Sequence, residues 1–78
     1  MSTKLAEVFA RVLRIPVERL GDETSPENTA EWDSLAAMEL VSQLEETFGV
    51  ELTTLEIMRM RSIGVAREVL RQRGVADV

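Results

Sequence analysis

Apolar residues recur at spacings of three and four in four separate runs of this chain, and no stretch alternates convincingly at spacing two. A period near 3.6 lines up one face of a helix, whereas a half-buried strand needs a period of two. The fold class this predicts is all-α. The first run covers residues 3–14, where Leu5, Val8, Phe9, Val12 and Leu13 form one stripe and Ser2 or Thr3 is available as the N-cap. Pro16 is its stop, because the residue before a proline is pushed out of the helical region. The second run covers 34–48: Leu35, Met38, Val41, Leu44 and Phe48 recur at three and four, and Ala37 and Leu40 widen the stripe. Asp33 precedes it as a cap and Gly49 follows it as a terminator. A short third run covers about 53–60, with Leu52, Leu55, Ile57 and Met58 read as facing inward. The fourth covers 62–73. Ser62 caps it, Ile63, Ala66, Val69 and Leu70 form its stripe, and Gly74 ends it. Its last turn is rich in Arg, which suits the negative end of a helix dipole. The expected architecture is a small four-helix bundle: three main helices, a short third helix and a long first loop over 15–33.

That loop carries Pro16, Gly21, Pro26 and Asn28 among several Ser, Thr and Asp residues. Ile15, Val17, Leu20 and Trp32 are expected to pin it to the core. A connection this long in so small a domain is often functional. The 78 residues are expected to form one domain, 1–78. A domain of this size buries only about 60% of the surface its unfolded chain exposes, so most apolar residues must serve the core. Met38, Leu44, Phe48, Met58 and Ile63 are read as core on that ground.

The chain has no cysteine and no histidine. That excludes a Ser-His nucleophile, a thiolate and any zinc site built on His or Cys. No metal site and no enzymatic activity of its own are expected. No apolar run approaches the ~18 residues that span a bilayer. The first residues, MSTKLAEVFARVLRIP, alternate charge with apolar positions, so they do not read as a secretory signal, and the expected compartment is the cytoplasm. The net charge of −5 is unevenly spread: +2 over residues 1–19, −10 over 20–58, where ten acids stand without a Lys or Arg, and +3 over 59–78. An acidic middle repels nucleic acid and attracts basic protein patches.

Ser34 falls at the first turn of the longest run, beside the long loop. The first N–H groups of a helix have no partner within it, and the dipole makes that end partly positive. A phosphate ester is favoured there for the same reason as free phosphate. Taken alone, however, Asp33-Ser34-Leu35 is ordinary capping chemistry.

The wider stretch, EWDSLAAMELVSQLEETFGVEL, resembles the acyl carrier protein family. That family has a D-S-L triplet at the start of its second helix, here Asp33-Ser34-Leu35. An apolar-Glu-Leu step follows, here Met38-Glu39-Leu40. Next comes an L-E-E-x-F-G segment, Leu44 to Gly49, and then an apolar-acidic-apolar stretch, Val50-Glu51-Leu52. Chain length and helix order fit as well, so the resemblance covers nearly all of the chain. It implies that Ser34 is the attachment residue for 4′-phosphopantetheine, transferred from coenzyme A by a phosphopantetheinyl transferase. The arm's thiol would carry acyl or aminoacyl groups as thioesters, supplying the sulfur that a chain without cysteine lacks. The resemblance also implies the partner-facing residues Asp33, Leu35, Met38, Glu39, Glu45 and Glu46. The transferase would read Asp33 and Leu35, and the glutamates would meet basic patches on an acyl- or aminoacyl-loading enzyme and on a downstream synthase or transferase. Singly, those glutamates also suit a solvated helix face. In the family a tunnel between helices can shelter an acyl chain, with Met as a pliable lining residue. A monomer is expected, with no nucleic-acid or membrane partner.

Several positions depart from fatty acid synthesis carriers. Glycine two residues before the Asp of D-S-L is usual there, and here it is Glu31, followed by Trp32. An acid often found two residues after the serine is Ala36, and a commonly apolar partner-facing position on the second helix is Ser42. The third helix, usually acidic, is followed by or includes Arg59 and Arg61. Trp-Asp-Ser-Leu looks more like freestanding carriers of polyketide, nonribosomal peptide or D-alanyl systems. A basic patch at Arg59 and Arg61 would repel an enzyme that reads an acidic third helix. The alternatives are an unmodified interaction domain that keeps the carrier fold, and the housekeeping fatty acid carrier. A helix-turn-helix nucleic-acid binder is disfavoured by the acidic centre.

Overall fold

The computed structural model describes residues 3–76 and 78, and among them every regular element is helical. α1 is Lys4–Leu13, α2 is Ser34–Phe48, α3 is Thr54–Arg59 and α4 is Ile63–Gln72, with a 3₁₀ turn at Val17–Arg19 inside the long loop. α1 is the common neighbour: it packs against α2, α4 and the 3₁₀ turn, while α3 leans on α4.

Caps set the helix starts. Thr3, Asp33, Thr53 and Ser62 each accept a hydrogen bond from a backbone N–H three residues on. Ser2, the alternative cap for α1, lies outside the described residues. α1 closes before Pro16 is reached. Arg14 takes the left-handed conformation at φ 59°, and its N–H and that of Ile15 both donate to the Ala10 carbonyl. A proline two residues on bars continuation, but the Arg14 turn is what ends the helix. α2 ends on Gly49 at φ 65°, where a side chain would be strained.

α4 shows how the long loop is held. Four N-terminal N–H groups of a helix need outside partners. Here Ile63 N–H donates to the Thr24 carbonyl at 3.1 Å and Gly64 N–H to the Asp22 carbonyl at 3.0 Å. Val65 N–H donates to Ser62 Oγ at 3.1 Å and Ala66 N–H to the Ser62 carbonyl at 3.0 Å. The loop comes so close that a Cβ on Gly64 would sit 3.1 Å from the Asp22 carbonyl oxygen. Ile15, Leu20 and Trp32 are buried as expected, whereas Val17 is only half-buried. Thr24, the buried polar residue of the loop, accepts the Gly21 N–H through Oγ1 at 2.9 Å.

The core gathers Leu5, Val8, Phe9 and Leu13 of α1, Leu40 and Leu44 of α2, Ile63, Ala66, Val69 and Leu70 of α4, and Trp32 from the loop. Two readings of the core are corrected. On α2 the residues that face inward are Leu40 and Leu44, with Ala37, Val41 and Phe48 partly buried against them; Leu35 is 79% and Met38 72% exposed. At about 100° per residue, Leu40, Val41, Leu44 and Phe48 share roughly 100° of arc, while Leu35 stands opposite Leu44. The inward stripe thus starts at Ala37, and the run from Leu35 mixes two faces. On α3 none of the six residues is buried: Leu55 and Met58 face solvent and Ile57 is borderline. A helix of six residues makes under two turns, so its apolar pattern has no phase to read. Of the residues read as inward only Leu52, before the helix, is buried, joined by Met60 just after it.

The charge blocks of the sequence meet in the fold. Asp22 pairs with Arg67, Glu27 with Arg61 and Glu56 with Arg73, each acid from the middle of the chain and each base from its last third. Surface pairs of this kind contribute about 0–1 kcal/mol each. Among the described residues no helix is long and apolar enough to cross a membrane, and no group of His, Cys, Asp or Glu has the arrangement of a metal site.

Candidate functional site

Asp33, not Ser34, is the cap of α2. Its Oδ1 accepts the Ala36 N–H at 2.9 Å, and its carbonyl accepts the Ala37 N–H at 2.9 Å. This leaves Ser34 as the first helical residue, exposed, with its hydroxyl outside the capping network. The Ser34 and Leu35 N–H groups have no protein partner among the described residues. No acidic side chain stands in the first turn, so the positive end of the helix dipole is uncompensated there except by the cap itself.

An open cleft of about 460 Å³ lies beside Ser34. Trp32, Ser34 and Ala37 reach it from the loop and α2; Ile57, Met58, Met60 and Arg61 reach it from α3 and the turn after it. A shallow apolar groove of about 280 Å³, lined by Ala37, Met38, Val41 and Ile57, lies alongside. The cleft wall is thus made by segments far apart in sequence, and Ile57, Met60 and Arg61 carried no sequence signal for a role at Ser34.

Leu35, Met38 and Glu39 face solvent on the first turns of α2 beside Ser34, and Glu46 faces solvent near the other end of the helix. Glu45 does not share that exposure fully. Its Oε2 accepts the Leu52 N–H at 2.8 Å, which ties the end of α2 to the segment before α3. Glu45 therefore has a structural task that nothing in its spacing from Glu46 disclosed. Of the two arginines expected to form a basic patch, Arg61 is held by Glu27, whose carboxyl is kept below its ordinary range chiefly by that hydrogen bond. Arg59 is exposed at the end of α3, with no ion pair among the described residues.

α3 is fixed at its start. Thr53 Oγ1 accepts the Glu56 N–H at 3.2 Å, and Glu56 Oε1 accepts the Thr53 N–H at 2.9 Å, a reciprocal capping box. The same oxygen accepts from Arg73 Nη1 at 2.6 Å, across to the end of α4. The Thr53 N–H first, then the Arg73 charge, hold the Glu56 carboxyl below its ordinary range against the opposing effect of desolvation. The T-x-x-E signature of this box is legible in the sequence.

An exposed hydroxyl, uncommitted backbone donors beside it and a cleft alongside are a chemically suitable seat for an arm joined through a phosphodiester. Comparison with known proteins points the same way. Residues 3–66 match the family model described as phosphopantetheine attachment site. The chain is 31% identical over 75 residues to the acyl carrier protein of Syntrophus aciditrophicus, covering 96% of this chain and 94% of that one. It is 34% identical over 64 residues to the acyl carrier protein of Acidothermus cellulolyticus, covering 82% and 76%. It is 26% identical over 68 residues to that of Lactobacillus johnsonii, covering 87% and 85%. A family match over most of the chain, joined to nearly end-to-end likeness in sequence, means that the chain belongs to the acyl carrier protein family, carriers rather than catalysts, whose cofactor is a covalently attached 4′-phosphopantetheine.

Proposed function

We propose that Ser34 Oγ bears the phosphopantetheine arm and that this carrier, acting as one domain over the whole stretch, holds acyl or aminoacyl intermediates for a dedicated pathway rather than for bulk fatty acid synthesis. The observation that carries the first part is the division of labour at the start of α2: Asp33 caps, and Ser34 is left exposed beside the cleft. In the transfer, Ser34 Oγ forms the new phosphoester bond as the pyrophosphate of coenzyme A breaks. Adenosine 3′,5′-bisphosphate leaves, and the hydroxyl proton passes to the transferase. The arm supplies a thiol for thioester chemistry. The chain's own residues contribute position: α2 fixes the hydroxyl, and Leu35, Met38, Glu39 and Glu46 offer partners an apolar and acidic surface.

The second part rests on Glu31, Trp32, Ala36, Ser42 and the exposed Arg59. The cation at the end of α3 weakens docking to an enzyme that reads acids there. The cytoplasm, where coenzyme A and the transferase are present, is the compartment this reading requires. Intact-mass measurement after incubation with coenzyme A and a broad transferase tests the attachment. One adduct is expected on the wild type and none on Ser34→Ala; an unmodified wild type would make the chain an interaction domain of carrier fold. Loading by the adenylating enzyme or acyltransferase of its pathway is expected to exceed loading by a fatty acid malonyl transferase, and the reverse order would return it to fatty acid synthesis.

A further inference from the structure

We propose that Trp32 plugs the bundle beneath Ser34, so that a group carried there stays in the outer cleft and groove and does not enter the core. The inference rests on the assignment of the arm to Ser34 made above. Two spaces adjoin on this side of the molecule. The outer one is the open cleft of about 460 Å³, and the inner one is a void of about 40 Å³ reaching Phe9 and Leu40. Trp32, Ala37, Ile57 and Met60 line both and so form the partition between them.

Trp32 is the member of that partition that closes it. Ala37 is too small to block a chain. Ile57 belongs to a helix with no buried residue, and Met60, just beyond it, is a flexible side chain. The indole, by contrast, is 5% exposed and packs edge-to-face on Phe9, centroids 5.2 Å apart at 62°, with Phe9 itself 1% exposed. The backbone N–H of Trp32 donates to the Thr29 carbonyl at 3.0 Å, and the next residue is the fixed cap Asp33. The main chain that carries the indole is thus held at both sides, and the ring leaves its place only by giving up its contact with Phe9. The second approach, from the groove past Val41 and Ile57, ends on the same Phe9–Trp32 pair.

Size decides what this excludes. An apolar void of about 150 Å³ takes up benzene. The inner space here is far smaller, so a chain of several methylenes has no room while the indole is in place. The indole is bulkier than the isobutyl group of leucine, so Trp32→Leu enlarges the inner space and joins it to the cleft. The cargo position is thereby tied to one side chain: outside with Trp32, inside without it.

The test loads wild type and Trp32→Leu with acetyl- and octanoyl-phosphopantetheine from the coenzyme A thioesters, checks each load by intact mass, and compares melting temperatures. Methylenes leaving water stabilise the folded form, and a domain of this size registers a small gain as several degrees. The wild-type octanoyl form is expected within about 1 °C of the acetyl form, and octanoyl Trp32→Leu about 5 °C or more above its acetyl form. Trp32→Phe, which keeps a ring on Phe9, is expected to rise less. Trp32 is the chain's one tryptophan and there is no tyrosine, so intrinsic emission reports on it directly and is expected to be the same in both wild-type forms. A wild-type melting temperature or emission maximum that moves with chain length would overturn the plug. So would a Trp32→Leu form indifferent to chain length. A wild type that takes no load overturns the Ser34 assignment itself, and the mass measurement tells that failure from the others.

Discussion

Replacing Asp33 by alanine removes the acceptor of the Ala36 N–H at the start of α2. Truncating such a cap costs about 0.5–2 kcal/mol, and a carboxylate at that end adds about 0.3–1 kcal/mol through the dipole. The bond is well formed at 2.9 Å but exposed, and α2 has no first-turn acid to stand in for the lost charge. Together these place Asp33→Ala at about 1.5 kcal/mol of destabilisation. Asp33→Asn keeps an acceptor and loses only the charge, for about 0.5 kcal/mol. Whole domains of this length are stable by only about 4–12 kcal/mol, so the alanine variant loses a large share. At about 4–8 °C per kcal/mol, the melting temperature should fall by about 6–12 °C for alanine and 2–4 °C for asparagine. Far-UV circular dichroism melts, with urea titrations of unchanged slope, measure both. An alanine variant within 2 °C of wild type, or an asparagine variant falling as far as alanine, would refute the capping argument. The asparagine variant also separates the cap from recognition. Slower loading by a transferase at nearly intact stability would make the charge of Asp33 something the transferase reads, and equal loading would leave it a cap alone.

Leu40→Ala should cost about 2–5 kcal/mol because it empties a buried site, whereas Met38→Ala should stay within about 0.5 kcal/mol, and denaturant titration of the pair tells which stripe of α2 faces the core. Gly49→Ala places a side chain at φ 65° with nothing nearby to clash, so a loss of about 1 kcal/mol from backbone strain alone is expected in the same assay. Glu56, with its pKa depressed in the folded state, stabilises α3 fully above the unfolded value of about 4.3, and that contribution is lost as pH falls through the lower folded value. A carboxyl NMR titration should give Glu56 a midpoint below the ordinary glutamate range, and a midpoint at or above it would remove the Thr53 and Arg73 contacts from the account. Glu56→Gln should flatten that part of the acid limb.

The helix boundaries were legible because capping is local chemistry. Asp33 and Ser62 stand immediately before their helices and act on N–H groups three residues away, so no distant part of the chain is needed to place them. Gly49 is legible for the same reason. The facing of α2 was less so. Its apolar residues spread around much of the helix, and a run beginning at Leu35 satisfies spacings of three and four as well as the run beginning at Ala37. Only the side on which α1 packs selects Leu40 and Leu44. Glu45 and Glu46 are neighbours of one type in the sequence, yet one accepts the Leu52 N–H and the other faces water.

The amino-acid order alone therefore determined four helices, the starts of α2 and α4, the stop of α2 at Gly49, the absence of a thiol and of an imidazole, and Ser34 at the head of the longest helix. These follow from short-range hydrogen bonding, backbone sterics and composition. Tertiary structure decided what surrounds Ser34. It brought Ile57, Met60 and Arg61 to the cleft, neutralised Asp22, Glu27 and Glu56 with arginines from the last third of the chain, and set Trp32 on Phe9 as the wall between cleft and core. Those features depend on which elements meet in space, and a local pattern holds no record of a partner 17 or more residues away.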